Sequence, residues 1–484
     1  MKKSKKPNEP SVGWAAAEFG NVELGDRRLS NRLIAITDCL SSMPESPINQ
    51  ACNSWAEAKA AYRFFQNEDV NEKDILATHV RRTADRAIEQ KIILSIQDTS
   101  YFSYTDHKKT TGLGIISKKV GTNVKTIFSK GVIMHTSFAV TVKGLPLGIL
   151  DQKIVARQPI SDELRAKKKK SHNVNIAIED KESIRWLDSL RNTQAALKDS
   201  NVKAVTICDR EGDFYEFLEL ANQIGASVLV RARGDRTINK ESRYAKAEDI
   251  RLWDHIKTFP NKGIIEVEIP AKDGKPSRIA KLETRFGSFK MNPPRNLARR
   301  LTETLPDLNL NAVLVTESSP PEGEEALEWM LLTDLPVTTF EEAIEKVRWY
   351  CLRWRIEVFH KILKSGLKVE QCRLQTADRL IRYLTVMSII AWRIYWITLI
   401  ARTDPNLPCT TLLAEDEWKV LYSKIHKTNS YPKKPPNIRS VVRWISMLGG
   451  FLGRKGDGEP GIITLWRGWK RLFDLSEGWA LALG

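Results

Sequence analysis

Three acidic residues in this chain stand where chemistry could be done. Asp98 closes the apolar, mostly β-branched run Ile92-Ile93-Leu94-Ser95-Ile96, and Asp209 closes the run from Val202 to Cys208. Runs of this kind read as short buried strands. Side chains at strand ends project beyond the sheet, where α/β proteins collect reactive groups. A carboxylate at either place has two available roles: capping the segment that follows, or serving as an oxygen ligand or reacting group. The third acid, Glu357, lies in a helical pattern over residues 340–364. At 100° per residue, Ile344, Val347, Cys351, Trp354, Val358 and Ile362 fall within an arc of about 80°, a stripe for the core. Tyr350, Arg353, Glu357 and Lys364 fall in a separate arc of about 60° beside it. That second face is either a solvated surface with Arg353 and Glu357 as an i,i+4 ion pair, or a working face at the core's edge.

The elements that must position these residues follow from the local pattern. Residues 11–90 read as short helices, with Asp26 as an N-cap and Ser54-Trp55-Ala56-Glu57 in capping-box form. Strands are expected at residues 92–96, 131–142, 147–150, 202–208 and 226–231, with a helix at 214–223. Strands alternating with helices imply an α/β core. Residues 236–334 are richer in strand runs, such as GIIEVEI and EWMLLT, and read as a β-rich insertion. Thr339-Phe340-Glu341-Glu342 has capping-box form, Ser365-Gly366 stops the pattern, and the C-terminal third is helical and Trp-rich. The expected organisation is a basic tail at 1–10, a helical domain at 11–75, a core split between 76–235 and 335–385, the insertion at 236–334, and a helical region at 386–484.

Composition narrows the partner. The 484 residues carry a formal net charge of +17, with 42% apolar and 28% charged residues. An excess of this size points to nucleic acid before membrane. The 19-residue run Tyr383–Ala401 could span a bilayer by length, but Arg393 near its middle would cost about 2.5–3.5 kcal/mol there. It reads as a buried helix, and no membrane partner is expected. The six cysteines form no CxxC pair and no zinc spacing with histidine, so they read as reduced thiols of a cytoplasmic protein. MKKSKKPNEP has no apolar stretch behind it, and no signal peptide is expected. Lys167–Lys170 reads as a solvated basic loop.

The run Tyr350-x-x-Arg353-x-x-x-Glu357-x-x-x-x-x-x-Lys364 resembles the Tyr-Arg-Glu-Lys signature of a large family of bacterial cut-and-paste insertion-sequence transposases. Further segments are similar in order and spacing: IQDTS at 96–100 and CDREGD at 208–213 resemble the two aspartate motifs. GLG at 112–114, His135, LPLGIL at 145–150, KESIRW at 181–186 and LEWMLLT at 327–333 resemble core segments. WAAAEF, LGDRR and AYRFF resemble the N-terminal DNA-binding region. The resemblance covers about residues 11–475; RGDRTINKES and part of 236–300 depart from it.

The resemblance implies a ribonuclease H-like core with a β-rich insertion, flanked by helical N- and C-terminal domains. Asp98, Asp209 and Glu357 would be the catalytic acids and would hold two Mg²⁺, with Mn²⁺ able to substitute. Tyr350, Arg353 and Lys364 would contact phosphates near the scissile bond. Trp329 would stack where a base leaves the duplex. Arg231 and Arg210 would contact DNA, with His360 and Lys361 as further candidates. Arg27, Arg28, Arg32 and Arg63 would grip the terminal repeats. Trp466, Trp469 and Leu472, at helical spacing in the last segment, would pair two subunits, since cutting two ends in one complex needs two active sites. The implied activity is cleavage of the element's ends, through a hairpin, and joining to target DNA. Two other readings stand beside it: a transposase-derived DNA-binding protein without catalysis, and a ribonuclease H-like nuclease without strand transfer.

Overall fold

The computed structural model describes residues 13–120, 126–157, 176–239, 250–269, 276–294 and 305–483. The expected tail at 1–10 and the basic loop Lys167–Lys170 lie outside them.

Five helices open the described chain: α1 (Trp14–Phe19), α2 (Arg27–Ser42), α3 (Ile48–Ala51), α4 (Trp55–Gln66) and α5 (Glu72–Ala87). Their starts are set locally. Asp26 accepts from the Arg28 amide and Ser54 from the Glu57 amide. These caps satisfy amides that have no partner in the first helical turn. Glu57 does not complete a box at Ser54; its carboxylate accepts instead from the Asn53 amide at 2.9 Å.

The core sheet is built on β1 (Ile92–Ser103), β2 (Gly114–Val120), β3 (Thr126–Thr141), β4 (Pro146–Val155), β5 (Lys203–Cys208) and β6 (Ser227–Arg231). β1 runs antiparallel to β3 and parallel to β5, and β5 runs parallel to β6. β4 pairs with β3 on the other side. Helix α6 (Ile184–Leu197) lies against β3, β4 and β5, and α7 (Tyr215–Gln223) follows β5. With β2 also antiparallel to β3, this is a mixed sheet in which β1, β5 and β6 run parallel, as expected of a ribonuclease H-like core. Residues between the core segments extend the same sheet rather than folding apart. After α8 (Leu252–Lys257), β7 (Gly263–Ile269), β8 (Arg278–Met291), β9 (Leu308–Glu317) and β10 (Glu328–Thr333) pair antiparallel in turn, and β10 joins the edge of β6.

The helical pattern at 340–364 is not one helix. It divides into α9 (Phe340–Cys351), opened by a complete capping box of Thr339 and Glu342, and α10 (Trp354–Lys361), followed by a π-turn at Ile362–Gly366. The break at Leu352–Arg353 resets the phase. Ile356 and Phe359 turn inward, whereas Trp354, expected in the core stripe, is exposed.

α11 (Ala377–Thr403) is the one helix among the described residues long and apolar enough to cross a membrane, and most of it is buried inside the protein. Arg393 lies over the rings of Trp396 at 4.5 Å and Trp14 at 5.8 Å. The expected boundaries at 75/76 and 385/386 both fall inside continuous helices, α5 and α11, which pack on each other. Helices α12 (Glu415–His426), α13 (Ile438–Leu448) and α14 (Ile462–Leu483) complete the chain. α13 and α14 meet at glycines: a Cβ on Gly468 would lie 1.6 Å from the Ile445 carbonyl oxygen. Trp466 is buried in the main core and Leu472 among the C-terminal helices, with Trp469 partly buried against the latter. Trp466 and Leu472 thus serve the subunit's own core, while Trp469 keeps part of its surface exposed, and Ile463, Phe473 and Leu481 of α14 are exposed apolar residues.

Candidate active site and nucleic-acid interface

Two of the three acids stand on adjacent strands, and the third is linked to them through Arg353 at the start of a helix. The parallel pairing of β1 with β5 runs from Ile92 opposite Lys203 to Ile96 opposite Ile207. The same register carries Asp98 to the level of Asp209. Asp98 does not end its strand: β1 continues to Ser103 along β3, with Asp98 opposite Thr136. It is β5 that stops, at Cys208, and so opens space beside Asp98. Asp209 does cap the turn that follows, accepting from the Glu211 amide at 2.8 Å. Capping leaves its second carboxylate oxygen available, so the two roles are compatible here.

α10 brings the third acid. Arg353 donates to Glu357 at 2.6 Å, and its side chain is only 13% exposed. His360, one turn on, is buried, with Nδ1 3.6 Å from Asp98 Oδ2. Its Nε2 is buried without a hydrogen-bond partner. Burial disfavours ionisation of Asp98, yet His360, the Thr99 amide and the Arg353 charge together hold its carboxyl below the usual range. Asp209 moves the other way. Burial pushes it up and the Asp98 charge adds to that, against the Glu211 amide, Arg353 and Arg231. Asp98 thus adds to the cost of charging Asp209, and the Arg353 charge favours the ionised form of both.

The donor set is all oxygen and free of thiolate, which suits a hard divalent cation. As the side chains stand, no three His, Cys, Asp or Glu among the described residues are grouped to hold a metal ion; Glu357 is turned to Arg353. The residues fit such ions in type, and Glu357 is paired with Arg353.

The expected DNA contacts are distributed around this centre. Tyr350 is buried, edge-on to Trp329 at 5.4 Å. Trp329 is itself 9% exposed on β10, with the Arg231 guanidinium 6.0 Å from its ring. Arg231 donates to the Glu328 carbonyl at 3.1 Å, and burial lowers its pKa, with the charges of Arg210 and Arg353 acting in the same direction. Lys364 lies 5.2 Å from the Phe102 ring, half-buried and within the field of Asp98. Lys361 is exposed. In the N-terminal helices Arg27, Arg32 and Arg63 are exposed, whereas Arg28 folds back on Asp26 at 2.8 Å.

Two arrangements were not evident from the sequence. Glu18 of α1 is buried against His79 and Arg86 of α5. Arg185 and Arg233 gather with Arg210 and Glu211 around a pocket adjoining Asp209. Arg185 lies inside KESIRW, and the regular spacing of basic residues in that segment did not distinguish it from an ordinary helix start.

A ribonuclease H-like sheet set between two helical units is the architecture that the sequence resemblance implies. Residues 11–70 match the family model described as transposase DNA-binding, and residues 389–483 match the one described as the Tn5 transposase dimerisation domain. At both ends, therefore, the chain is similar to Tn5-type transposases, in a DNA-binding segment and in a dimerisation segment.

Proposed function

We propose that this transposase, acting on DNA in the bacterial cytoplasm, cleaves the ends of its own insertion sequence by hydrolysis and transesterification through a hairpin, and joins them to target DNA. The observation that supports this most is the placing of Asp98 beside Asp209 by adjacent parallel strands, with Arg353 at the start of α10 acting on both and paired to Glu357. Asp98, Asp209 and Glu357 would hold two Mg²⁺ or Mn²⁺, which when bound supply charge neutralisation at the phosphate and activate the attacking oxygen. Arg353 has a second partner to hand in the incoming DNA: a phosphate would take its guanidinium by a bidentate contact and release Glu357. His360 holds Asp98 in position from the buried side. Tyr350, Lys364 and Arg231 would fix neighbouring phosphates, so that the reacting groups stand in line. Arg27, Arg32 and Arg63 would carry recognition of the terminal repeat, largely through its backbone.

The test uses a duplex bearing the inverted repeat that brackets the gene, with flanking DNA and a separate target. With Mg²⁺ the purified protein should nick the end, form a hairpin and yield a joined product; excess EDTA should stop all three. Binding without cleavage would leave a DNA-binding protein, and cleavage without joining would leave a nuclease.

A further inference from the structure

A pocket of about 490 Å³ adjoins Asp209, lined by Ser183, Arg185, Trp186, Arg210, Glu211 and Arg233. Three guanidiniums face one carboxylate there. Arg185 is the most confined, with 14% of its side chain exposed, and its ion pairs are long: 3.5 Å to Glu182 and 3.9 Å to Glu211. Its Nε is buried without a hydrogen-bond partner. Arg233 spends its backbone amide on Asp213, at 2.6 Å, and keeps its side chain exposed. Arg210 is exposed as well. A half-buried guanidinium with an unused donor costs free energy unless an anion completes it. The floor is rigid: Trp186 packs edge-on to His135 at 4.7 Å, and His135 is hydrogen-bonded to Thr99 beside Asp98.

We propose that Arg185, Arg233 and Arg210 form a phosphate-binding pocket that grips a phosphodiester of the DNA strand lying beyond the cut. Guanidinium forks match phosphate oxygens in shape and charge. Successive phosphates of one strand follow about every 3.4 Å along a duplex axis. A strand whose scissile phosphate meets Asp98 and Asp209 therefore presents its next phosphates within reach of the residues that follow Asp209. Before cleavage that strand is the flanking DNA; at the joining step it is the target. The inference rests on the proposed active site, but the pocket is read by binding alone.

The experiment compares wild type with the Arg185→Gln/Arg233→Gln double variant, in EDTA so that no cleavage occurs. Three probes are titrated over a range of salt: a terminal-repeat duplex ending at the cut, the same duplex with flanking DNA, and a second duplex offered to the pre-cut complex. The expected result is unchanged binding of the pre-cut end, with flanked-end binding about three- to tenfold weaker and its log K–log salt slope reduced by about one to two. If only capture of the second duplex falls, the phosphate belongs to the target strand. Unchanged affinity for both, or an equal loss for the pre-cut end, would overturn the pocket. Arg185→Lys/Arg233→Lys, which keeps the charges, should retain most of the slope and guards against a folding defect. Because no step needs metal, failure of cleavage in the wild type would count against the active site and not against this pocket.

Discussion

Asp98 and Asp209 stand at the same level of two adjacent parallel strands, the register of β1 with β5 running unbroken from Ile92 opposite Lys203 up to the point where β5 ends. Strand neighbours lie about 4.7–4.9 Å apart, so two carboxylates at one level share a site and each raises the cost of the other's charge. Arg353 answers both from α10 while it holds Glu357. Asp98, Asp209 and Glu357 thus share Arg353 as a charge partner.

Acid should loosen the joint between the N-terminal helices and the core. The Ile149 amide donates to His79 Nε2 at 3.0 Å, so the proton of a neutral ring sits on Nδ1, facing Glu18 at 2.5 Å. Burial opposes ionisation of Glu18, but His79 and Arg86 overcome it and bring the carboxyl down to about 2. Stability from the ionised group is complete above its ordinary 4.5 and is lost as pH falls toward about 2. Burial also lowers His79 from its ordinary 6.5, so protonation of the unfolded chain removes further stability below that value. Thermal melts should show Glu18→Gln destabilised by about 3–5 kcal/mol at neutral pH, the cost of breaking a buried pair, with the gap closing in acid. A pH-independent gap would contradict this.

The terminal-repeat contacts should divide by what each arginine already holds. Arg32 and Arg63 are exposed, while Arg28 is engaged by Asp26. Replacing Arg32 or Arg63 with Ala should each reduce the salt slope of binding by about one. Arg28→Ala should do less, since its charge is partly answered in the free protein. Equal effects of all three in salt-titrated binding would show that the Asp26 pair opens on DNA.

Trp329→Ala should separate two steps. Opening a duplex end costs a few kcal/mol, and an aromatic face recovers about 1–3 kcal/mol by stacking. Loss of 1.4–2.8 kcal/mol from the barrier would slow hairpin formation about ten- to hundredfold relative to nicking. Since Trp329 is buried against Tyr350, the variant should also melt lower, so the ratio of hairpin to nicking rates is the quantity to read. An end lacking the terminal base should partly rescue it. Equal slowing of both steps would make Trp329 a packing residue only.

Local signals were legible where neighbours in sequence do the work. The β-branched runs at Ile92–Ile96 and Val202–Cys208, and the caps Asp26, Ser54 and Thr339, stand in the structure where the residue pattern places them. Pairing is a long-range choice, and the level of Asp98 against Asp209 and the joining of β10 to β6 were not readable from either segment alone. The break at Leu352–Arg353 escaped because a uniform 3.6-residue period was assumed across it; it moves Trp354 out of the core and leaves the Arg353–Glu357 pair intact. Trp466 and Leu472 had the spacing of an interface, but spacing does not distinguish a partner subunit from the chain's own core.

The central claim is tested most directly by measuring cleavage and binding together for Asp98→Ala, Asp209→Ala and Glu357→Ala on a terminal-repeat duplex with Mg²⁺. Each should bind the duplex with an affinity close to wild type, because the N-terminal helices are untouched. Each should lose cleavage by several orders of magnitude. A variant that still cuts at the wild-type rate would remove its residue from the active site and contradict the account.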